Sequence, residues 1–379
     1  MKRLLQPFVL TVTAILVVGY VYLAWRLTQG AWQRVALAVP FVLVWIVPVV
    51  YWSGDRDDGR ALDQIVHQVS YLCMAWLSFL LVLTPVRDVL LLLTMLDPTM
   101  SEAHALVNRA GVPLIFLASL IAMIVGALAA LRGPHVKHVD IRIEGLHRDL
   151  DGFRIVQISD LHAGLSIGRR YVERVVQLAQ AAEPDLVALT GDMVDGTVAR
   201  LADAVEPLKL LAQRGRGFFV LGNHECYSGA EPWLSHFREM GYTVLLNAHT
   251  TLQRGSARMV VGGVLDPAVA LFDRGQGPRP DLAAANAPQD AFRLLLAHNP
   301  RIAPAAERAG FHLQLSGHTH AGQFFPWTLA VRLAHAPHVA GLSREGRMWV
   351  YVSAGTGTWG PPVRIGTSPE LTVLRLVRA

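Results

Sequence analysis

The sequence predicts an α/β domain preceded by an all-α membrane region of about four helices, and three observations carry that expectation. The chain of 379 residues is 52% hydrophobic, with a mean hydropathy of +0.35, which is too apolar for one domain surrounded by water. Long apolar runs fill the stretch before Gly133. After Asp151, apolar β-like runs end repeatedly in clusters of Asp, His and Asn. The expected division is a transmembrane region over residues 1–132 and a second domain over residues 133–379.

Residues 7–25 are almost continuously apolar, close to the ~20 residues that a helix needs to cross about 30 Å of hydrocarbon. Lys2 and Arg3 precede this run as they would a signal peptide. Its length, the lack of an A-x-A-type cleavage site and the spans that follow argue for an uncleaved anchor. Residues 36–52, 70–83 extended toward 95, and 112–131 repeat the pattern. Trp25, Tyr51 and Trp52 stand at span ends, as interfacial aromatics do. Pro85, Arg87 and Asp88 interrupt the third segment before residues 89–96, which suggests one tilted helix plus an interfacial piece. A soluble buried bundle is the alternative for all four segments, but their length and near absence of charge weigh against it.

Lys and Arg in the short loops set orientation. With the N-terminus inside, Lys2, Arg3, Arg56, Arg60, Arg132 and Lys137 are inside, against Arg26, Arg34, Arg87 and Arg109 outside. This slender majority predicts a multi-pass protein of the cell (inner) membrane with its C-terminal domain in the cytoplasm. The net charge of +5 is scattered rather than gathered into a basic stripe, so no nucleic-acid partner is expected. Two cysteines, Cys73 and Cys226, supply neither a disulfide framework nor a Cys-based zinc site. Any metal falls to His, Asp and Asn.

In the second domain, alternation over residues 135–146 leads to the β-branched run 153–158, which ends at Asp160 and His162. With one residue between them on an extended segment, a carboxylate and an imidazole can converge on one ion. A surface pair is the other reading of D-x-H alone. A helical stretch at 170–182 precedes the run 185–190, which ends at Gly191 and Asp192. Asp192 has two oxygens and a charge suited to bridging two cations. Asp195 reads equally as a helix cap or turn residue and stays outside the expected ligand set.

The run 217–221 ends at Gly222, Asn223 and His224. Asn223 offers a neutral carbonyl ligand. His224 points elsewhere and could donate a proton to a leaving oxygen, although Asn-His also serves as a plain turn. Residues 292–296 then lead to His298, and 313–315 lead to His318 and His320, an H-x-H pair suited to adjacent metals.

D-x-H, G-D-x-x-D, G-N-H-E, H-N-P and G-H-T-H in this order resemble the calcineurin-like metallophosphoesterase superfamily over residues 154–364. S-D-L-H, G-H-T-H-A-G-Q and the tail at 351–358 resemble its bacterial membrane-associated branch, typified by the phosphodiesterases YaeI and YkuE. The resemblance implies a four-layer α-β-β-α sandwich and a phosphoesterase, most readily a phosphodiesterase. It also implies two divalent metal ions, Mn, Fe or Zn by the donor types. By position, Asp160, His162 and His320 hold one metal, Asn223, His298 and His318 hold the other, and Asp192 bridges them. His224 is the catalytic histidine near the scissile phosphate.

Two such ions would share a hydroxide nucleophile and hydrolyse a phosphodiester or pyrophosphate bond without a covalent intermediate. The membrane makes a lipid-linked phosphoester an expected substrate, with a UDP-2,3-diacylglucosamine pyrophosphatase of lipid A synthesis as an alternative. A membrane sensor that binds metal or phospholipid without turnover is the alternative from another class. Phe324, Phe325, Pro326 and Trp327 follow the metal histidines. They read either as an interfacial or acyl-chain contact or as cover for the core beside the sheet.

Overall fold

The computed structural model describes residues 7–52 and 61–379. It forms two compact units. One is Met1–Ala129 with Gly360–Ile365, and the other is Ala130–Trp359 with Gly366–Ala379.

The first unit is helical. It contains α1 (Pro7–Leu27), α2 (Ala31–Ile46, continued by a π-helical turn over Val47–Trp52), α3 (Ala61–Leu96) and α4 (Ser101–Leu131). The stretches Pro7–Leu27, Ala31–Val49, Ala61–Leu96 and Pro98–Leu131 are each long and apolar enough to cross a membrane. Leu23, Phe41, Leu77 and Leu80 pack into its core. Ile15, Val18 and Trp32 stay exposed on the outside, an exterior that matches hydrocarbon and not water.

The break expected near Pro85 is absent. Helix α3 runs unbroken for 36 residues, about 54 Å at 1.5 Å per residue. Its charge is met from α1, because Arg26 Nε donates to Asp88 Oδ1 at 2.9 Å and Tyr22 Oη donates to Oδ2 at 2.8 Å. A carboxylate satisfied in this way no longer forces the segment out of an apolar setting. Of the residues that set the expected orientation, Lys2, Arg3, Arg56 and Arg60 lie outside the described residues.

The second unit holds two mixed six-stranded sheets. The first is built from β1 (His135–Ile143), β2 (Arg154–Ile158), β3 (Leu186–Leu189), β4 (Gly217–Phe219), β5 (Thr243–Val244) and β12 (Glu370–Arg378), in the order β1-β12-β2-β3-β4-β5. Strands β2 to β5 run parallel. The second is built from β6 (Ala248–Arg254), β7 (Ala257–Gly263), β8 (Phe292–Leu296), β9 (Leu313–Ser316), β10 (Gly341–Glu345) and β11 (Met348–Val352). Its order is β10-β11-β9-β8-β7-β6, with β7, β8, β9 and β11 parallel.

Alternation along the strands explains the layering. Ile155, Phe218, Leu294 and Leu315 fill the core shared by the two sheets. Their neighbours Val156 and Phe219 face the opposite way, onto Val172 and Val176 of α5 (Arg169–Ala181), Leu201 of α6 (Val198–Val205), and Trp233 and Phe237 of α7 (Asn223–Glu239). Ala283 of α8 (Pro280–Ala284) and Ala306 of α9 (Ala303–Arg308) cover the far side of the second sheet beside Leu295 and Val350. The result is the four-layer α-β-β-α sandwich that the sequence resemblance implies. Phe218 and Phe219 are each fully buried, contributing about 1.5–3 kcal/mol apiece to opposite cores.

Candidate metal centre

Every polar cluster read from the sequence sits just beyond the carboxyl end of a parallel strand. Asp160 and His162 follow β2, Asp192 follows β3, Asn223 and His224 open α7 after β4, His298 follows β8, and His318 and His320 follow β9. Strand ends of one direction gather at one sheet edge, where α/β folds collect ligands. Backbone bonds lace these loops into a platform: Asp160 N–H donates to Gly191 O and His162 N–H to Asp192 O, both at 3.0 Å, and Gly317 N–H donates to His298 O at 3.0 Å.

The local backbone differs from the extended D-x-H segment expected. Asp160 (φ +52°), His162 (+52°), Asp192 (+56°), His318 (+70°) and His320 (+49°) all adopt the left-handed region. Non-glycine residues rarely do so, and such strain gathers at functional sites. Alternating left-handed residues turn Asp160 and His162 inward in place of strand pleating. Glycine is required beside them: a Cβ at Gly317 would run into Asp160 Oδ2, and one at Gly222 into Asp192 Oδ1.

Three overlapping groups of side chains result, each with its ligand atoms within 4.8 Å of one another: Asp160, His162 and His320; His162, Asp192 and His224; and Asp192, His298 and His318. His162 Nε2 lies 2.9 Å from His320 Nε2, and His320 Nε2 lies 3.3 Å from Asp160 Oδ1. Asn223 Oδ1 lies 2.9 Å from His318 Nδ1 and 3.2 Å from His298 Nε2. All eight residues singled out in the sequence therefore lie in one constellation, His224 included.

Its chemistry suits a cation. Among the described residues no Lys or Arg pairs with Asp160, Asp192 or Asp195, whose ion-pair partners are histidines. Asp160 Oδ2 is buried without a hydrogen-bond partner. Burial, then the charge of His298, pushes His318 down to about 3, so its imidazole is neutral and its lone pair available. These residues fit divalent ions of the borderline kind.

Two positioning residues escaped the sequence reading. Asp195, open there as a cap or turn, instead places Oδ1 2.8 Å from His162 Nδ1 and 2.7 Å from His224 Nδ1. Burial opposes its charge, but the two histidines outweigh burial and hold the carboxyl well below the usual range. The same carboxylates act on His224: burial opposes protonation, yet Asp192 and Asp195 raise it to about 9. Glu225 is the second. Its fully buried carboxylate accepts the N–H groups of Asp192, Met193 and Gly222 at 2.9, 2.6 and 2.7 Å, clamping the Asp192 loop. The spacing of G-D-x-x-D and the Glu of G-N-H-E are the only sequence signals for either.

The sequence profile of the calcineurin-like phosphoesterase family matches residues 153–322. A "transmembrane protein with metallophosphoesterase domain" from Danio rerio is 32% identical over 98% of this chain and 89% of its own length. The chain belongs to this metallophosphoesterase family. It is therefore a hydrolase of phosphoric esters, in a family that uses divalent metals, and its four apolar helices and transmembrane relatives make it a membrane protein. The uncharacterized metallophosphoesterase Cj0846 of Campylobacter jejuni is 30% identical over 89% of this chain and 88% of its own. YkuE of Bacillus subtilis, also an uncharacterized metallophosphoesterase, is 30% identical over 60% of this chain and 79% of its own.

In this metallophosphoesterase the outer contacts select which ring nitrogen faces the centre. His298 Nδ1 lies 2.9 Å from Thr190 O, which can only accept, so that nitrogen donates outward and Nε2 is the atom turned to Asp192. Asp195 does the same for His162, whose Nε2 turns to His320 and Asp192.

Proposed function

We propose that the protein is a membrane-anchored phosphodiesterase or pyrophosphatase that works with two divalent cations, Mn, Fe or Zn. Asp160, His162 and His320 would hold one, Asn223, His298 and His318 would hold the other, and Asp192 would serve both. One observation carries this reading. Asp192 Oδ2 lies 3.1 Å from His298 Nε2, 3.9 Å from His162 Nε2 and 4.0 Å from His224 Nε2, so a single oxygen faces both ligand groups.

Cations held there would supply Lewis acidity toward the phosphoryl oxygens and lower the pKa of a water nucleophile. The chain's own residues do the rest. Asp160, Asp192 and Asn223 give two negative charges and one neutral carbonyl, which leaves net positive charge for an anionic substrate. Asp195 fixes His224 through Nδ1, so its Nε2–H can protonate the departing oxygen. Tethering to a bilayer favours a lipid-linked phosphoester as substrate. Four spans would return the chain to the side of its N-terminus, and the slender majority of Lys and Arg in the short loops favours the cytoplasm for that side.

Full-length protein purified in detergent should hydrolyse a generic aryl phosphodiester when given Mn and stop when a chelator is added. Inactivity with Mn, Fe and Zn alike would overturn the proposal. A reporter fused after Ala379 reads the side of the membrane, and a periplasmic signal contradicts the cytoplasmic assignment.

A further inference from the structure

Two exposed apolar groups border the candidate metal centre. On one side, the Tyr227 ring lies 5.6 Å from His224 and 6.4 Å from Phe272, and Tyr227 and Phe272 are 56% and 66% exposed. On the other, α10 (Trp327–His335) begins seven residues beyond His320 and has no buried residue. Its last ring, His335, lies 5.3 Å from His318. Leu329 and Leu333, one turn apart on α10, are 53% and 79% exposed, and Phe325 and Trp327 just before them are also exposed. Phe324 alone of this aromatic run is buried, so the core-covering reading holds for that residue and not for its neighbours.

A short helix that leaves its leucines outside buries little of their apolar area against its own domain. Such a helix is stabilised by an external apolar phase. The shape of the rim argues which one. Leu333, the most exposed of these side chains, is free to insert into a planar interface. Helix α10 carries Arg332 and no carboxylate, matching anionic headgroups. The chain's own apolar helices keep the domain within reach of a bilayer.

We propose that this rim docks on the surface of an anionic lipid bilayer, with Leu329 and Leu333 in the headgroup region and the metal centre opening toward the headgroups. The docking surface stands on its own geometry, whereas its use in turnover rests on the phosphoesterase reading above.

The test uses the full chain in anionic nanodiscs, with Cys73→Ala and a nitroxide on Leu333→Cys, the buried Cys226 staying unlabelled. The label should be reached by oxygen and shielded from a water-soluble nickel chelate, unlike a label on the exposed Leu210→Cys. Equal aqueous access at both positions overturns the proposal whatever the enzyme's activity. In the activity arm, Leu329→Glu with Leu333→Glu should lose about tenfold or more turnover on a phosphoester lipid in vesicles. Hydrolysis of a soluble aryl phosphodiester should not change. Equal vesicle turnover in variant and wild type also overturns the proposal. If wild type hydrolyses neither substrate, the phosphoesterase reading fails while the nitroxide still decides the docking surface. A water-exposed label combined with a raised KM for an acylated substrate in micelles would make the patch an acyl-chain subsite and reject bilayer docking.

Discussion

The two units of this chain treat carboxylates withdrawn from water in opposite ways, Asp88 partly and Asp160 and Asp192 fully. In the helical unit, Asp88 is met by Arg26 and Tyr22, so its charge is neutralised within the protein and its role is structural. In the sheet unit, Asp160 and Asp192 are fully buried or nearly so, and no arginine or lysine answers them among the described residues. They face imidazole nitrogens and one amide oxygen. A carboxylate neutralised by a fixed Arg holds a fold together, whereas carboxylates gathered with imidazole and amide donors form a ligand set for a cation from outside.

That contrast orders the expected effects of substitution. Asp192→Ala removes the oxygen that faces both ligand groups and should take phosphodiester turnover below detection in a steady-state assay. His224→Ala should cost about 10²–10⁴-fold in kcat, the range for a lost proton donor, with metal content unchanged. A matching loss of metal would make His224 a ligand instead. Asp195→Asn keeps the shape but weakens the hold on His162 and His224, which should cost about 10–100-fold in metal affinity or activity. Wild-type affinity and rate in that variant would remove Asp195 from the positioning role.

The smallest effect belongs to the other unit. Arg26→Leu strands the Asp88 charge and should lower thermal stability in detergent by about 1–2 kcal/mol. That is less than for a fully buried pair, because both side chains keep 25% exposure. The kcat should stay at wild type, and Arg26→Leu with Asp88→Leu should recover the stability. A fall in kcat without a fall in stability would contradict the division of roles.

Much of this division is legible in the sequence, for a physical reason. Strands buried on both faces read as mostly apolar runs, so 292–296 announces β8 and 153–158 announces β2 despite Arg293, Arg154 and Gln157, and the polar clusters come where the strands leave the core. The same logic exposes the ligand candidates, because five strand ends carry Asp, Asn or His in a fixed order. What local pattern does not encode is which distant group a side chain meets. Asp195 reads as a turn because nothing in G-D-x-x-D shows His162 and His224 converging on it. Glu225 reads as part of a motif because its N–H partners at Asp192 and Met193 lie on another loop. Left-handed backbone at Asp160 and His162 is imposed by the lacing of neighbouring loops, against the extended preference that their own segment suggests. Helix α3 continues through Asp88 because Arg26, 62 residues earlier, supplies the counter-charge.

Metal content of the purified full-length protein tests the centre most directly. After loading with Mn and desalting, elemental analysis should find two divalent ions per chain, and Asp192→Ala should fail to retain the pair. A wild-type chain that holds at most one ion, or an Asp192→Ala variant that keeps both, would contradict a dinuclear centre built on that carboxylate.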